Sequence, residues 1–329
     1  MDDRIYTYGV EEEYLCTNRE DTAPFNLPDE IWEKTPAFMR TGREAHRCVI
    51  ETMSHVCKTK NELNTHLLKS RAWLSKSIEH YGGKIYAGGT HHTIDWSEVE
   101  TNPAPYYQSI VDDYQIAIKC SFVFGMHVHL GGVSRDRFAC TFNTLRPFIP
   151  IIISASSNSS HWRGIDTGLS CSRLNLFSRM PRTGIPPVMG DALTHEENLM
   201  EMVHAGVMRS ITQIWYDMRY HPVYHTVEMR CMDMQPTAEL ASALALFVTE
   251  IMILADKEQL PCWFDGLKEW GLEENRWRAI RYGTNASLLT KSSLLNVKDA
   301  LTSLLHLTEK SIAEVDKDAP ERLRKLWEI

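Results

Sequence analysis

The sequence has no Cys-x-x-Cys pair. Its eight cysteines, at positions 16, 48, 57, 120, 140, 171, 231 and 262, are scattered along the chain, which excludes a zinc ribbon or a compact disulfide framework and fits reduced thiols. There is no surplus of base either: a net charge of −8 and a pI near 6.0 leave no electrostatic footprint for nucleic acid, so a small molecule is the expected partner. No run approaches the roughly 20 apolar residues of a membrane span; the longest, Phe148 to Ala155, is cut by Pro150. The first residues lack a charged segment followed by an apolar core, and the expected location is the cytoplasm, without membrane contact. Internal repeats, low-complexity tracts and linkers are absent too, so 329 residues with 43% hydrophobic content read as one domain, 1–329.

What is present is a repeated strand grammar. Ser121-Phe122-Val123-Phe124 runs into Gly125-Met126-His127-Val128-His129-Leu130-Gly131-Gly132, a β-rich segment ending in a glycine turn. Successive strand side chains point to opposite faces, so His127 and His129 share one side while Met126, Val128 and Leu130 take the other. The same alternation places Glu11 and Glu13 together in Tyr8-Gly9-Val10-Glu11-Glu12-Glu13-Tyr14-Leu15, and Glu228 and Arg230 together in Tyr224 to Cys231. Unpaired buried charges cost several kcal/mol each, so a face built this way must be wet, paired or loaded with metal. The three strands are expected to share one site.

Between them the chain supplies packing elements and loops. Residues 16–43 hold turn formers and few apolar periods and read as a loop able to act as a lid. Glu44 and Glu51 stand seven apart, on one helix face or on strands joined by a bend. Lys60 to His80 carries a Leu63, Leu67, Leu74, Ile78 stripe and reads as an amphipathic helix ended by Gly82-Gly83. A strand is expected at 84–89, a helix at 104–119, a bent helix at 134–157, a helix at 196–208, strands at 214–219 and 224–234 separated by a turn at His221-Pro222, and helices at 237–258, 273–281 and from 297 onward. The polar stretch 158–187, with Arg163, Arg173, Arg179 and Arg182, is a loop system suited to anions. Loop histidines 91 and 92 have no partner implied by spacing, and Glu12 and Glu273 read as surface charges, although Glu12 points away from the shared face and could pair with a base.

Gathered on one surface, Glu11, Glu13, Glu44, Glu51, His127 and Glu228 form an oxygen-rich set with one imidazole. Carboxylates outnumber histidines, so Mg²⁺ (or Mn²⁺) is favoured over zinc. Hard ions flanked by arginines are equipment for phosphoryl transfer, where catalysis is positioning and charge neutralisation.

In this order, Gly9-Val10-Glu11-Glu12-Glu13, the Glu44/Glu51 spacing, Gly125-Met126-His127-Val128-His129, Trp162 to Gly168, Phe177 to Gly184, Thr226 to Arg230 and Glu274 to Ala279 resemble the type 2 glutamate-cysteine ligase family, carboxylate-amine ligases of the glutamine synthetase-like superfamily. The resemblance implies an α+β fold, a curved antiparallel sheet with helices packed on its outer face and ATP, metals and substrates on the concave one. It implies metal ligation by Glu11, Glu13, Glu44, Glu51, His127 and Glu228, and contact of Arg230 with the transferring phosphate. His129 and Arg179 would lie beside the nucleotide, and Arg163 and Arg173 would hold the substrate carboxylate or an acyl phosphate. The implied activity joins a carboxylate, glutamate by preference, to an amine such as cysteine, in a chain expected by resemblance to form a homodimer. Against the family pattern, the loop after Leu15 is short and Thr90-His91-His92 carries His where Pro is common, both bearing on substrate identity. A metal-dependent amide hydrolase and a non-catalytic nucleotide or metabolite sensor on the same fold are the alternatives.

Overall fold

The computed structural model describes residues 5–221 and 223–328. In chain order these form β1 (Thr7–Asn18), α1 (Glu30–Glu33), β2 (Met39–Arg43), β3 (Val49–Ser54), α2 (Lys60–His80) and β4 (Gly83–Tyr86). Next come α3 (Pro105–Tyr114), α4 (Ile116–Lys119), β5 (Gly125–Gly131), α5 (Phe138–Leu145), α6 (Ile149–Ser156), β6 (His161–Trp162), β7 (Ile165–Asp166) and α7 (Ser172–Phe177). The remainder is α8 (Ala192–His204), β8 (Met218–His221), β9 (Thr226–Asp233), α9 (Ala238–Asp256), α10 (Glu269–Tyr282), β10 (Ser287–Leu289), β11 (Leu294–Asn296), α11 (Val297–Ala313) and α12 (Ala319–Trp327).

One antiparallel sheet carries the site, with strand order β2-β3-β1-β5-β9-β8 and β4 attached to β1. The long first strand changes partner along its length: Thr7 to Glu12 pair with β5, and Leu15 to Asn18 pair with β4. Such a switch marks where the sheet curls. The mixed α+β class and antiparallel sheet follow the expectation, and β1, β5 and β9 are immediate neighbours.

Alternation explains why the sheet is two-sided. Val10, Tyr14, Met126, Val128, Leu130, Val227 and Met229 are buried on the apolar side. Helices α2, α6 and α9 pack against the strands. Thr59 caps α2 by accepting from the Glu62 amide at 3.1 Å, and Thr237 caps α9 by accepting from the Leu240 amide at 3.2 Å, satisfying N–H groups that have no intrahelical partner. The closing helix is pinned by Trp327, whose indole donates to the Ala155 carbonyl at 2.9 Å. Two helical stretches, Phe138–Ser156 and Ala238–Asp256, are long and apolar enough to cross a membrane by length and composition; 72% and 78% of their apolar windows are buried inside the fold, so here they are core.

Several local expectations change. The 16–43 stretch is no continuous loop: β1 runs on to Asn18 and β2 forms an edge strand. Glu44 lies in the β2–β3 connection and Glu51 in β3, so a strand pair rather than a helix face brings them together. The 104–119 helix breaks at Gln115, which has φ 49°, and the stretch expected as strand from 214 begins only at Met218. The β10–β11 hairpin precedes α11, and α12 is separate from it. The turn expected at His221-Pro222 includes a residue outside those described.

Glu12 is corrected as well. It is 1% exposed, and its Oε1 accepts from Arg71 Nη2 of α2 at 2.6 Å. The same guanidinium donates to the Tyr14 hydroxyl at 2.8 Å and the Gln235 carbonyl at 2.9 Å. This network joins the first strand to its covering helix on the side away from the site. Removing one member of a buried pair strands the other, so Glu12→Ala should lower the unfolding free energy by roughly 3–5 kcal/mol in urea titration; a loss below about 1 kcal/mol would show the pair to be dispensable.

Candidate active site

The polar side of the sheet collects its residues by register. Glu11 stands opposite His127, Glu13 opposite Glu51, and His129 opposite Glu228. The β5–β9 pairing shifts register between Met126 and Val128, where an extra residue of β9 lies between Met229 and Met232. That bulge falls at Arg230-Cys231, and bulges beside sites re-aim side chains.

Distances within the cluster are short. His127 Nδ1 lies 3.0 Å from Glu11 Oε2, and its Nε2 lies 3.8 Å from Glu13 Oε1. His129 Nδ1 bonds the Thr226 hydroxyl at 2.9 Å, while its Nε2 lies 3.4 Å from Glu11 Oε1 and 3.9 Å from Glu228 Oε1. Both Nε2 atoms are buried and make no hydrogen bond. Three groups offer ligand atoms within 4.8 Å of one another: Glu11, Glu51 and His127; Glu11, His129 and Glu228; and Glu13, Glu44 and Glu51. Two orphaned imidazole nitrogens facing this many carboxylate oxygens are a donor set for cations, so the residues fit Mg²⁺ or Mn²⁺.

Glu228 is fully buried and clasped from two sides. Arg219 of β8 donates to both of its oxygens, and Arg230 Nη1 donates to Oε1. Burial alone would push its carboxyl up, but the Arg219 and Arg230 charges hold it well below the usual range. Glu11 is likewise held down against burial, by His129 and His127. At the other end, burial and the Glu13 charge push Glu44 up to about 8, and burial with Glu11, Glu44 and Glu13 raises Glu51. Burial and Arg230 lower His127; for His129, burial is outweighed by Glu228 and Glu11, and its value rises.

Arg173 of α7 enters beneath β9. Its Nη atoms donate to the Arg230 carbonyl at 3.2 and 3.3 Å, and its Nε is buried without a partner. The approach requires a glycine at 125: a Cβ there would lie 2.0 Å from Arg173 Nη2. The Gly125 amide meanwhile donates to Glu13 Oε2 at 2.5 Å. Asp233 anchors the segment that carries Arg173, accepting from the Asn158 amide at 2.7 Å and the Ser159 hydroxyl at 2.6 Å, and Ser159 Oγ accepts from the Arg173 amide at 3.1 Å.

Two cavities flank the cluster. One of about 330 Å³ is lined by Glu13, Glu44, Glu51, His127, Arg173 and Arg230 among others. The second, of about 440 Å³, has Tyr8, Arg40, His55, His129 and Tyr224 in its wall, and Glu11 borders both. Arg163 and Arg179 are not brought in. Arg163 pairs with Asp95 and stacks on Trp162 at 5.4 Å; Arg179 lies over the same ring at 5.8 Å and donates to Cys120 Sγ. Neither lines either cavity. His91 accepts from the Thr93 and Ile94 amides at Nδ1.

Sequence reasoning missed Arg219, Thr226 and the Asp217–Arg276 pair. Arg276 of α10 grips Asp217 at 2.6 and 3.1 Å, and the Asp217 carbonyl accepts from the Arg230 amide at 2.8 Å. The signal was available: Asp217-Met218-Arg219-Tyr220-His221 alternates polar and apolar just as the recognised strands do.

A raised carboxyl binds a proton more tightly folded than unfolded, so its burial destabilises the fold increasingly as pH rises from the unfolded value to the folded one. For Glu44 that window runs from 4.5 to about 8. In chelated buffer, the thermal midpoint of the wild type should therefore fall relative to Glu44→Gln as pH climbs through this window. Added Mg²⁺ should close the gap; parallel pH curves for the two proteins would refute the assignment.

Comparison with known proteins supplies a context for this geometry. A Sorangium cellulosum protein with the provisional name glutamate–cysteine ligase 2 is 31% identical, over 98% of this chain and 88% of its own length. A Haloferax volcanii glutamate–cysteine ligase is 28% identical, over 98% of this chain and 89% of its own length. Among solved structures, a Francisella tularensis glutamate–cysteine ligase in complex with AMP superposes with TM-score 0.71 at 12% identity, covering 98% of this chain and 82% of that one. A bifunctional glutathione synthetase from Pasteurella multocida gives 0.66 at 12% identity, covering 98% of this chain and 49% of that one; both likenesses concern the fold. Residues 7–326 match the model of glutamate-cysteine ligase family 2, and the chain belongs to that family of ATP-dependent ligases.

Proposed function

We propose that this protein joins glutamate, through its γ-carboxyl group, to an amine, using ATP and Mg²⁺ or Mn²⁺ and passing through an acyl phosphate. The observation that carries this reading is the Glu228 clasp. Arg219 donates to both oxygens of Glu228, and Arg230 is anchored through Nη1, on Glu228 Oε1 and at 3.5 Å from His127 Nδ1, while its Nε and Nη2 make no hydrogen bond among the described residues. A guanidinium so held, beside ligand groups for hard cations, suits a transferring phosphoryl group.

Glu11, Glu13, Glu44, Glu51, His127 and Glu228 would hold the ions, which when bound supply neutralisation of phosphate charge. His129, fixed by Thr226, borders the 440 Å³ cavity, assigned here to the nucleotide. Arg173 would hold the carboxylate of the acyl donor. A carboxylate oxygen attacks the γ-phosphorus and ADP departs; the amine nitrogen then attacks the acyl carbon, the carbon–oxygen bond to phosphate breaks, and the amine proton leaves with the phosphate. Excluding water between the two steps protects the intermediate.

With ATP and Mg²⁺, phosphate should appear only when both the carboxylate and the amine are present. Arg230→Ala should lower kcat by about 10²–10³, the usual loss on removing one preorganised donor, with Glu228→Gln similarly impaired. Amide cleavage without ATP, or full turnover by Arg230→Ala, would overturn the reading. Arg163→Ala should leave kcat within about twofold, since its side chain is turned to Asp95 outside both cavities.

A further inference from the structure

The 330 Å³ cavity has a second wall that the chemistry above does not use. Besides the carboxylates, the lining includes Tyr106, Tyr107, Ile118, Phe177, Met180 and Trp215. They come from α3, α4, the end of α7 and the segment before β8. The wall is fixed in place. Tyr107 spends its hydroxyl on the Arg43 carbonyl, leaving its ring to the cavity. Trp215 is backed by Arg182 at 5.6 Å and by Tyr114, edge to face, at 5.3 Å. Arg182 is itself committed, to the Gln213 carbonyl at 2.8 Å and the Tyr114 hydroxyl at 2.7 Å. An apolar wall held this firmly against an aqueous cavity gains free energy only when an apolar ligand covers it.

Positive charge in the same cavity is scarce. Three arginines line it: Arg173, Arg219 and Arg230. Arg219 commits four of its five N–H donors, to both oxygens of Glu228 and to the Thr212 and Ile214 carbonyls at 2.9 and 3.0 Å. Arg230 pairs with Glu228 and is assigned to phosphate. His221 accepts two backbone N–H groups at Nδ1, which fits a neutral ring, and His46 turns its Nε2 to the Lys119 carbonyl. Among the described lining residues this leaves the Arg173 guanidinium, with its unpartnered Nε, for one carboxylate. Glutamate activated at its γ-carboxyl keeps one free carboxylate, and an amino-acid acceptor such as cysteine would add a second, for which the described lining offers no further side-chain cation. A carboxylate desolvated without a partner is strongly disfavoured.

We infer that the acceptor is a primary amine with an apolar or aromatic body and no carboxylate, its body lying on the Tyr106–Trp215 wall. This rests on the ligase reading above and narrows it. The bond changes are unchanged: the amine nitrogen displaces phosphate from the acyl carbon, and one N–H proton leaves on the phosphate.

The test uses the full chain with ATP, Mg²⁺ and glutamate, and compares phenethylamine, phenylalanine, methylamine and cysteine as acceptors. ADP release gives the rate and mass spectrometry identifies the amide. The expected result is a kcat/KM for phenethylamine at least about tenfold above each of the other three. Phenylalanine tests the carboxylate and methylamine tests the apolar body. Trp215→Ala should raise the phenethylamine KM about tenfold, a loss of about 1.4 kcal/mol in binding, with the glutamate KM held. Cysteine equal to or better than phenethylamine overturns the inference and leaves the ligase reading standing. No ADP release with any acceptor overturns both.

Discussion

A buried carboxylate held ionised between two guanidinium groups is the constraint on which this structure turns. Glu228 has no exposed surface, and an isolated charge at such a depth would neutralise instead of staying ionised. Arg219 and Arg230 keep it anionic, and in doing so fix their own positions on neighbouring strands. From that anchor the rest of the polar face follows by register, with His129 across from Glu228 and the Glu11–His127 pair one strand further on. The two ends of the face then differ in charge. Near Glu228 the two guanidinium groups and the imidazoles hold the carboxyls down; near Glu44 and Glu51 the carboxyls crowd one another and rise. A face divided in this way has a side prepared for anionic phosphate and another prepared to take up cations.

Such a face tolerates its charge because the other side of the same strands is firmly apolar. Met126, Val128, Val227 and Met229 alternate with the charged residues and pack beneath α6 and α9. Glu12, a carboxylate on that side of β1, carries its own arginine. Further anchors act on the backbone: Arg276 through Asp217 on Arg230, and Asp233 through Ser159 on Arg173. These reach the cluster by hydrogen bonds to main-chain atoms, so the arginines inherit their placement from the segments they ride on.

Much of this was legible from residue order. Alternation in three segments put Glu11, Glu13, His127, His129, Glu228 and Arg230 on one face, and the Lys60–His80 helix matched its stripe and its glycine stop. The failures have definite causes. β2 is an edge strand containing Gly42, whose partner supplies the pairing that its own side chains do not advertise. The hairpin of β10 and β11 is three residues a side, too short for a period to register. Gln115 splits a helix at a left-handed backbone angle that helical periodicity on either side does not announce. The stretch 158–187 shows no period at all, which is why Arg163 and Arg173 looked alike in sequence although one turns to Asp95 and the other sits in α7 against the Arg230 carbonyl. Arg219 was missed although its strand alternates, because the strand expected at 214–219 opens on Ile214, Trp215 and Tyr216 and stops before Tyr220 and His221 complete the alternation.

The bare α-carbon at position 125 ties together groups that belong to separate tasks. Its amide steadies a carboxylate of the cation end, and its missing side chain is the doorway through which Arg173 passes. A single methyl group there would push the guanidinium aside and disturb the Glu13 contact in the same stroke, so one atom's worth of vacancy couples the placement of Arg173 to that of Glu13. Alanine, the mildest exchange elsewhere, already intrudes on Arg173 at this residue.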